Sequence, residues 1–329
     1  MTRVIIASLC AVAFALTLSG CSAEKEAEAK KSAPVFGERP AVPRVVSPQN
    51  GDYTGTLRAY TSNFARPVFA WAAVPWDQPV TYELEVDDSC EAGFLGSCSF
   101  PSPEARAEMI AATQWQPREA LPVSPFAPIG RRYYWRLRAC SEGKCSPRTR
   151  PRDLEVGRTR GDFNGDGFSD VAVGAPLIDN GGEDRGSVFV YFGGREGLAT
   201  DYPPVLRLDD PRAKDKSSFG VGVAVAGDMN ADGFADLIVG AAGSDNYRGN
   251  AYIYYGGSKG LDPLPFRLQA KSGNADDWFG AAVAGAGDVD GDGFSDVLVG
   301  ASGTDGTHQG MGEDLGVAPV FRGGMLGVA

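Results

Sequence analysis

The chain reads as an all-β protein: a β-sandwich followed by repeated four-stranded blades of a propeller that these residues do not close. Three observations predict this. Glycine (44) and proline (22) are plentiful among the 329 residues, as suits many tight turns. Short segments alternate apolar and polar residues at period two. The last half repeats itself at a spacing of 66 and then 60 residues, counted between Asp162, Asp228 and Asp288, a length that fits several short strands per unit.

Residues 1–20 have the form of an export signal. Arg3 is followed by an apolar run from Val4 to Leu18, too short for a comfortable membrane span. Leu18-Ser19-Gly20-Cys21 resembles a bacterial lipobox, which implies lipid on Cys21 and attachment to a membrane through that lipid. By the same resemblance, Ser22 after the cysteine implies an outer-membrane or cell-surface location, with a periplasm-facing one as the variant. Residues 21–40 are rich in Ala, Lys and Glu and then Pro. They carry no sustained hydrophobic face and read as a flexible tether.

Residues 41–157 form the first folded unit. Tyr82, Leu84 and Val86 alternate with charged residues, and Tyr133, Trp135 and Leu137 alternate with Tyr134, Arg136 and Arg138. That is the pattern of antiparallel strands with one face on a core. Glu104 to Gln116 reads as a short helix. Four cysteines remain after Cys10 and Cys21: Cys90, Cys98, Cys140 and Cys145. In an exported chain they read as two disulfides. Three pairings are open, and the local one is favoured because each close pair brackets a Gly/Ser loop. The order of the Trp71 strand, the Tyr-x-Leu-x-Val strand and the Tyr-x-Arg-x-Arg-Ala strand is similar to a fibronectin type III sandwich.

Residues 158–329 hold three matching segments: GDFNGDGFSDVAVGAP from Gly161, GDMNADGFADLIVGAA from Gly227 and GDVDGDGFSDVLVGAS from Gly287. Each is followed by an aromatic strand ending in Gly-Gly. Phe219-Gly220 and Phe279-Gly280 stand nine residues before the second and third loops. At that offset the first repeat has Asp153-Leu154, so its first strand is missing or merged with the preceding unit. Pro319 lies inside the third aromatic strand and weakens it.

The loops carry the chemistry. In the first, Asp162, Asn164 and Asp166 alternate, a glycine permits the sharp turn, Phe168 offers its backbone carbonyl and Asp170 closes the set. The second set is Asp228, Asn230, Asp232, Phe234 and Asp236; the third is Asp288, Asp290, Asp292, Phe294 and Asp296. Ca²⁺ takes 6–8 oxygens, and a curled loop turns alternate donors onto one ion. About three Ca²⁺ sites are expected, on β-hairpins, with the four-carboxylate third loop the tightest. The phenylalanine rings are expected in the core.

These segments resemble the FG-GAP repeat of integrin alpha-chain propellers. The resemblance implies a Ca²⁺-stabilised propeller that serves adhesion or binding, with an unknown protein or glycan ligand. Gly174-Ala175-Pro176 appears only in repeat one. Arg160-Gly161-Asp162 spells an integrin-ligand tripeptide, but Asp162 is already committed as a metal ligand. Three blades are fewer than the four to eight of a closed propeller, so the chain reads as an incomplete copy of a longer protein.

Net charge is −11, which argues against nucleic acid as a partner. There is one histidine, His308, and no P-loop or zinc-protease motif, so the chain does not read as an enzyme. Alternatives are a structural spacer of an envelope assembly and the non-catalytic part of a longer surface hydrolase.

Overall fold

The computed structural model describes residues 37–55, 65–90, 98–198, 206–270, 275–303 and 316–325. The export signal, Cys21, most of the tether and His308 lie outside the described residues. Among the described residues no helix is long and apolar enough to cross a membrane.

In chain order the sandwich contains β1 (Val45–Ser47), β2 (Asp52–Tyr53), β3 (Phe69–Trp71), β4 (Thr81–Asp87), β5 (Ala105–Ile110), β6 (Gln114–Trp115), β7 (Arg131–Ser141), β8 (Lys144–Cys145) and β9 (Arg152–Val156). One sheet has the order β1-β3-β6. The other runs β2-β9-β7-β4-β5, with β8 paired to β7. The inward residues expected from period two are the ones buried: Tyr82, Leu84, Val86, Tyr133, Trp135 and Leu137. They meet Phe69 and Trp71 from the opposite sheet, with ring centroids 4.9 Å apart for Phe69–Trp135 and 5.2 Å for Trp71–Tyr82. Such inter-sheet contacts make one fibronectin type III-like core. On the other face, Arg136 and Arg138 lie opposite Glu85 and Glu83 across β4 and β7 and donate to them at 2.9 and 2.7 Å.

The helix expected over 104–116 is not there. Ala105–Ile110 is an edge strand on β4, with Ala107 opposite Leu84 and Ala105 opposite Val86. The segment has small residues at alternate positions, so it lies flat on the sheet edge. A helix over the same residues would give up that pairing. The disulfides take the local pairing, Cys90–Cys98 and Cys140–Cys145. Cys140 and Cys145 face each other across the β7–β8 hairpin, so the turn itself selects the partner.

The repeats follow as β10 (Val171–Ala175), β11 (Ser187–Tyr191), β12 (Leu206–Asp209), β13 (Phe219–Gly227), β14 (Asp236–Ala241), β15 (Asn250–Tyr254), β16 (Phe266–Leu268), β17 (Phe279–Gly287), β18 (Asp296–Ala301) and β19 (Val320–Phe321). They form three antiparallel meanders: β10-β11-β12, β13-β14-β15-β16 and β17-β18-β19. The first lacks a counterpart of β13 and β17. The residues at that offset, Asp153 and Leu154, belong to β9 of the sandwich. The first strand of repeat one has therefore merged with the sandwich, and β10 is left as a sheet edge with Val171 and Val173 39% and 47% exposed.

The middle sheet is buried on both faces, which is why β14 reads as a continuous apolar run. Leu237 and Val239 join a core with Val188, Val190 and Phe219. Ile238 turns the other way, into a core with Phe279, Val297 and Val299. Pro319 has the expected effect: β19 has two residues where β11 and β15 each have five.

Candidate metal centres

All three loops are built on one hydrogen-bond pattern. The first aspartate is the hub. Asp162 accepts the Asp166 N–H on Oδ1 and the Gly167 N–H on Oδ2, at 3.1 and 2.8 Å. Asp228 does the same for Asp232 and Gly233 at 3.0 and 2.9 Å, and Asp288 for Asp292 and Gly293 at 3.1 and 2.9 Å. The fifth residue then accepts the N–H of the seventh, at 2.9–3.0 Å in every loop. This curl needs positive φ at the fourth and sixth positions. Gly165, Gly167, Gly233, Gly291 and Gly293 supply it at little cost, and Ala231 adopts φ 58°, a conformation that side chains rarely take. Strands β10, β14 and β18 begin at or next to the ninth residue, so the loops sit on β-hairpins.

The ninth aspartate has a second task that the sequence reading did not assign. Asp170 accepts the N–H of Phe163 inside the loop and that of Gly193 across the hairpin, at 2.7 and 2.8 Å. Asp236 joins Met229 to Gly256 at 2.7 and 2.8 Å, and Asp296 joins Val289 to Gly323 at 2.8 and 3.0 Å. The Gly-Gly at the end of each aromatic strand was the available signal. A Cβ on Gly193, Gly256 or Gly323 would stand 2.2–2.4 Å from the backbone carbonyl of Ser169, Ala235 or Ser295.

The phenylalanine rings are not the main anchors. Phe168 and Phe234 are half-buried, and only Phe294 is buried. The second position does the packing: Phe163 and Met229 are fully buried while Val289 is 56% exposed. Phe163 sits in the core of the second sheet and Met229 in that of the third. The first two loops thus drive their second side chains, as plugs, into the following repeat. The apolar residue at position two of all three loops is the sequence signal for this packing.

Electrostatics follow from burial. Asp162 and Asp228 are pushed up to about 6 and Asp170 to about 7, in each case mainly because burial penalises the carboxylate. Burial also raises Asp236, Asp292 and Asp296. Neighbouring carboxylates of the same loop push in the same direction. In the third loop Asp288, Asp290 and Asp296 each bring an oxygen within 4.8 Å of the others. In the first and second loops the third-position asparagine instead bonds the fifth-position aspartate, at 3.2 and 2.9 Å. All side-chain donors are hard oxygens, which fits a divalent cation of the Ca²⁺ or Mg²⁺ kind and not a soft metal.

Asp87, Asp88 and Glu104 also converge in the sandwich. Their oxygens are taken: Asp87 accepts from Ser89 and Ser102, Asp88 pairs with Arg131, and Glu104 accepts the Asp88 N–H.

Sandwich residues also reach into the loops. Arg132 of β7 donates to Asp228 at 3.0 Å and to the Gly293 carbonyl at 2.8 Å, and bonds Glu155 at 2.5 Å. Asn50 donates to Asp288 at 2.7 Å. Burial works to lower Arg132, but Glu155, Asp228 and Asp153 outweigh it and hold the guanidinium charged. Arg132 shares the polar face of β7 with Arg136, a face the alternation assigns to solvent. No local signal distinguishes it, because Asp228 and Gly293 lie far along the chain in the repeats.

The FG-GAP repeat model matches residues 160–191, 219–254 and 279–312. These three segments are FG-GAP repeats. The FG-GAP portion is 38% identical over 142 residues to integrin alpha-4 of Xenopus laevis, and 38% identical over 141 residues to human integrin alpha-6. Each alignment covers 43% of this chain but only 13% and 12% of those proteins. Among solved structures, an exo-type rhamnogalacturonan lyase covers 85% of this chain and 40% of its own at 13% identity, with a TM-score of 0.22. The FN1–FN3 domains of chicken CNTN1 cover 70% and 68% at 10% identity, with a TM-score of 0.25.

Proposed function

We propose that the chain is a non-enzymatic binding or adhesion protein whose FG-GAP loops hold Ca²⁺, anchored to an outer membrane or cell surface through lipid on Cys21. The observation that carries the metal reading is the threefold loop lattice, with three carboxylates of the third loop converging on one point. A cation there would cancel the repulsion among Asp288, Asp290 and Asp296 and tie the hairpin, so its role is structural. The patterned acids are accounted for in this way. Likeness to integrin alpha chains supports a binding role; the ligand class is a protein or a glycan.

Affinity is expected to fall in the order third loop, first loop, second loop. The third has four side-chain carboxylates against three in each of the others. The second already has the Arg132 guanidinium on Asp228. Calorimetric titration with Ca²⁺ and Mg²⁺, together with melting in Ca²⁺ and in EGTA, tests the metal. No heat of binding and no melting shift would defeat it. Metabolic labelling with a palmitate analogue, compared between the native chain and Cys21→Ala, tests the anchor. A glycan array and surface pull-down distinguish a binding protein from a spacer.

A further inference from the structure

The first aspartates of the three loops are alike inside the loop and different outside it. Oδ2 of each accepts the N–H of the sixth residue, Gly167, Gly233 or Gly293, at 2.8–2.9 Å. On Asp228 the same oxygen also accepts from the Arg132 guanidinium at 3.0 Å. On Asp288 it accepts instead from the Asn50 side-chain amide at 2.7 Å. Among the described residues no sandwich side chain bonds Asp162. One position of a repeated loop is therefore met by a cation, by a neutral amide and by neither.

The sandwich holds both donors in place. Asn50 Oδ1 accepts the Asp153 N–H of β9 at 3.0 Å, which leaves the NH₂ end of the amide to face Asp288. The next residue, Gly51, donates to the Asp153 carboxylate at 2.9 Å, so the turn before β2 is tied to β9 twice. Arg132 bonds Glu155 through Nε at 2.5 Å and the Gly293 carbonyl through Nη1 at 2.8 Å. Its side chain is 14% exposed and that of Asp228 is 5% exposed.

The two donors act on a bound cation with opposite signs. The guanidinium brings its own charge to Asp228 where little water screens it. It repels a divalent ion in the second loop and competes for the carboxylate's charge. The Asn50 amide adds no net charge. Its hydrogen bond fixes the orientation of a carboxylate that the ion needs, as outer-shell partners do for metal ligands.

We propose that the sandwich sets the metal affinities of the loops: Arg132 is a resident cation that holds the second loop's affinity down, and Asn50 is a positioning residue that raises the third's. This rests on the reading of the loops as Ca²⁺ sites. Coupling between two binding events is reciprocal. Ca²⁺ in the second loop therefore weakens the Arg132–Asp228 bond by the factor with which Arg132 weakens Ca²⁺, and Ca²⁺ in the third loop strengthens the Asn50–Asp288 bond by its own factor. The sandwich responds to Ca²⁺ in two stages. Low concentrations fill the third loop and tighten the Asn50 contact; higher ones fill the second and work against the Arg132 contact.

The test is calorimetric titration of the full chain with Ca²⁺, one loop at a time. Asp166→Ala with Asp292→Ala leaves the second loop intact, and Asp166→Ala with Asp232→Ala leaves the third. On the first background Arg132→Gln should tighten Ca²⁺ binding by about tenfold or more, while Arg132→Lys, which keeps the charge, should leave it near the background value. On the second, Asn50→Ala should weaken binding by about tenfold or more, and Asn50→Gln, which keeps an amide donor, should bind more tightly than Asn50→Ala. Urea unfolding in EGTA separates this from a merely structural role: Arg132→Gln should be less stable and yet bind more tightly, whereas loss of structure alone lowers both. The Asn50 variants, at a half-buried turn, keep the proposal open to refutation if the glutamine chain does not fold. Ca²⁺ binding that is unchanged or weakened by Arg132→Gln, or unchanged by Asn50→Ala, overturns the proposal and leaves the metal reading standing. No binding to the native chain overturns the metal reading itself.

Discussion

Arg132→Met removes a cation that pairs with both the sandwich acids Asp153 and Glu155 and the second loop's Asp228. In the native chain the guanidinium stands 2.5 Å from Glu155, 3.0 Å from Asp228 and 3.8 Å from Asp153, and the three acid side chains are only 3–5% exposed. Glu155 keeps a second partner in Arg158; Asp153 and Asp228 lose their only ion pair among the described residues. Stripping one partner from a buried pair costs about 3–5 kcal/mol. Protonation limits the loss. Asp153 already sits at about 6, raised by burial, so taking up its proton at pH 7 costs only about 1.4 kcal/mol. The expected loss is therefore at the low end, about 3 kcal/mol at pH 7, and smaller at pH 5. The assay is urea unfolding in EGTA at both pH values, repeated in saturating Ca²⁺. Freed of Arg132, Asp228 presents its full charge to the ion, so the deficit should shrink with Ca²⁺. A loss under about 1 kcal/mol, or one indifferent to pH, would refute the claim that this network joins sandwich to repeats.

Other predictions are simpler. Asp236→Ala orphans the Met229 and Gly256 amides and should cost about 1–3 kcal/mol for each buried donor even in EGTA, whereas Asp232→Ala gives up only exposed bonds from Phe234 and Asn230 and should cost much less in EGTA than in Ca²⁺; equal effects of the two variants in EGTA would sink the distinction. Phe163→Ala should lose about 3–5 kcal/mol and Val289→Ala close to nothing, read by chemical denaturation; comparable losses would show that the plug is not what holds the blades. Asp153→Asn should remove a pH dependence. Folded Asp153 keeps its proton up to about pH 6, while the unfolded residue ionises near pH 3.9. The folded state therefore binds more protons between those values, and stability falls as pH rises through that window, by on the order of 3 kcal/mol. The variant should flatten this fall in EGTA, and parallel curves for the two proteins would contradict it.

What was legible in the sequence was what depends on near neighbours along the chain. The β7 alternation sorted Tyr133, Trp135 and Leu137 from Arg136 and Arg138, because a strand face is set by period alone. The loops were legible because their donors lie within nine residues and recur three times. The Cys140–Cys145 pairing followed from a short turn. Long-range partners were not legible. Arg132 looks like any other polar-face arginine until the second loop, 96 residues away, is brought beneath it. Ala105–Ile110 reads as helix from the sequence and forms an edge strand, because the two differ there only in whether β4 offers a free edge. Asp153-Leu154 was noticed as a gap in repeat one, but only the fold shows that the sandwich has taken those residues into β9.

The loops are therefore joints as much as ion sites, which bears on what Ca²⁺ would do. In the first loop, the Asp162 carbonyl receives Ala235 of the next blade, the Phe163 carbonyl receives Gly257, and the Phe163 side chain fills that blade's core. The second loop repeats this on the third blade through Ser295, Gly324 and Met229. Asp162 and Asp228 thus use their side chains within the loop and their backbones between blades. An ion that fixes the side chain also fixes the carbonyl one bond sequence away, so curling the loop and seating the next blade are one event. Removing the ion should loosen the interface after a loop before it loosens the hairpin that bears it. Amide hydrogen exchange can separate the two: in EGTA, Ala235 and Ser295 should exchange faster than the internal β14 amide of Val239. If Val239 and Ala235 accelerate together, the loops stabilise each blade singly and the joint is held by the buried plugs alone.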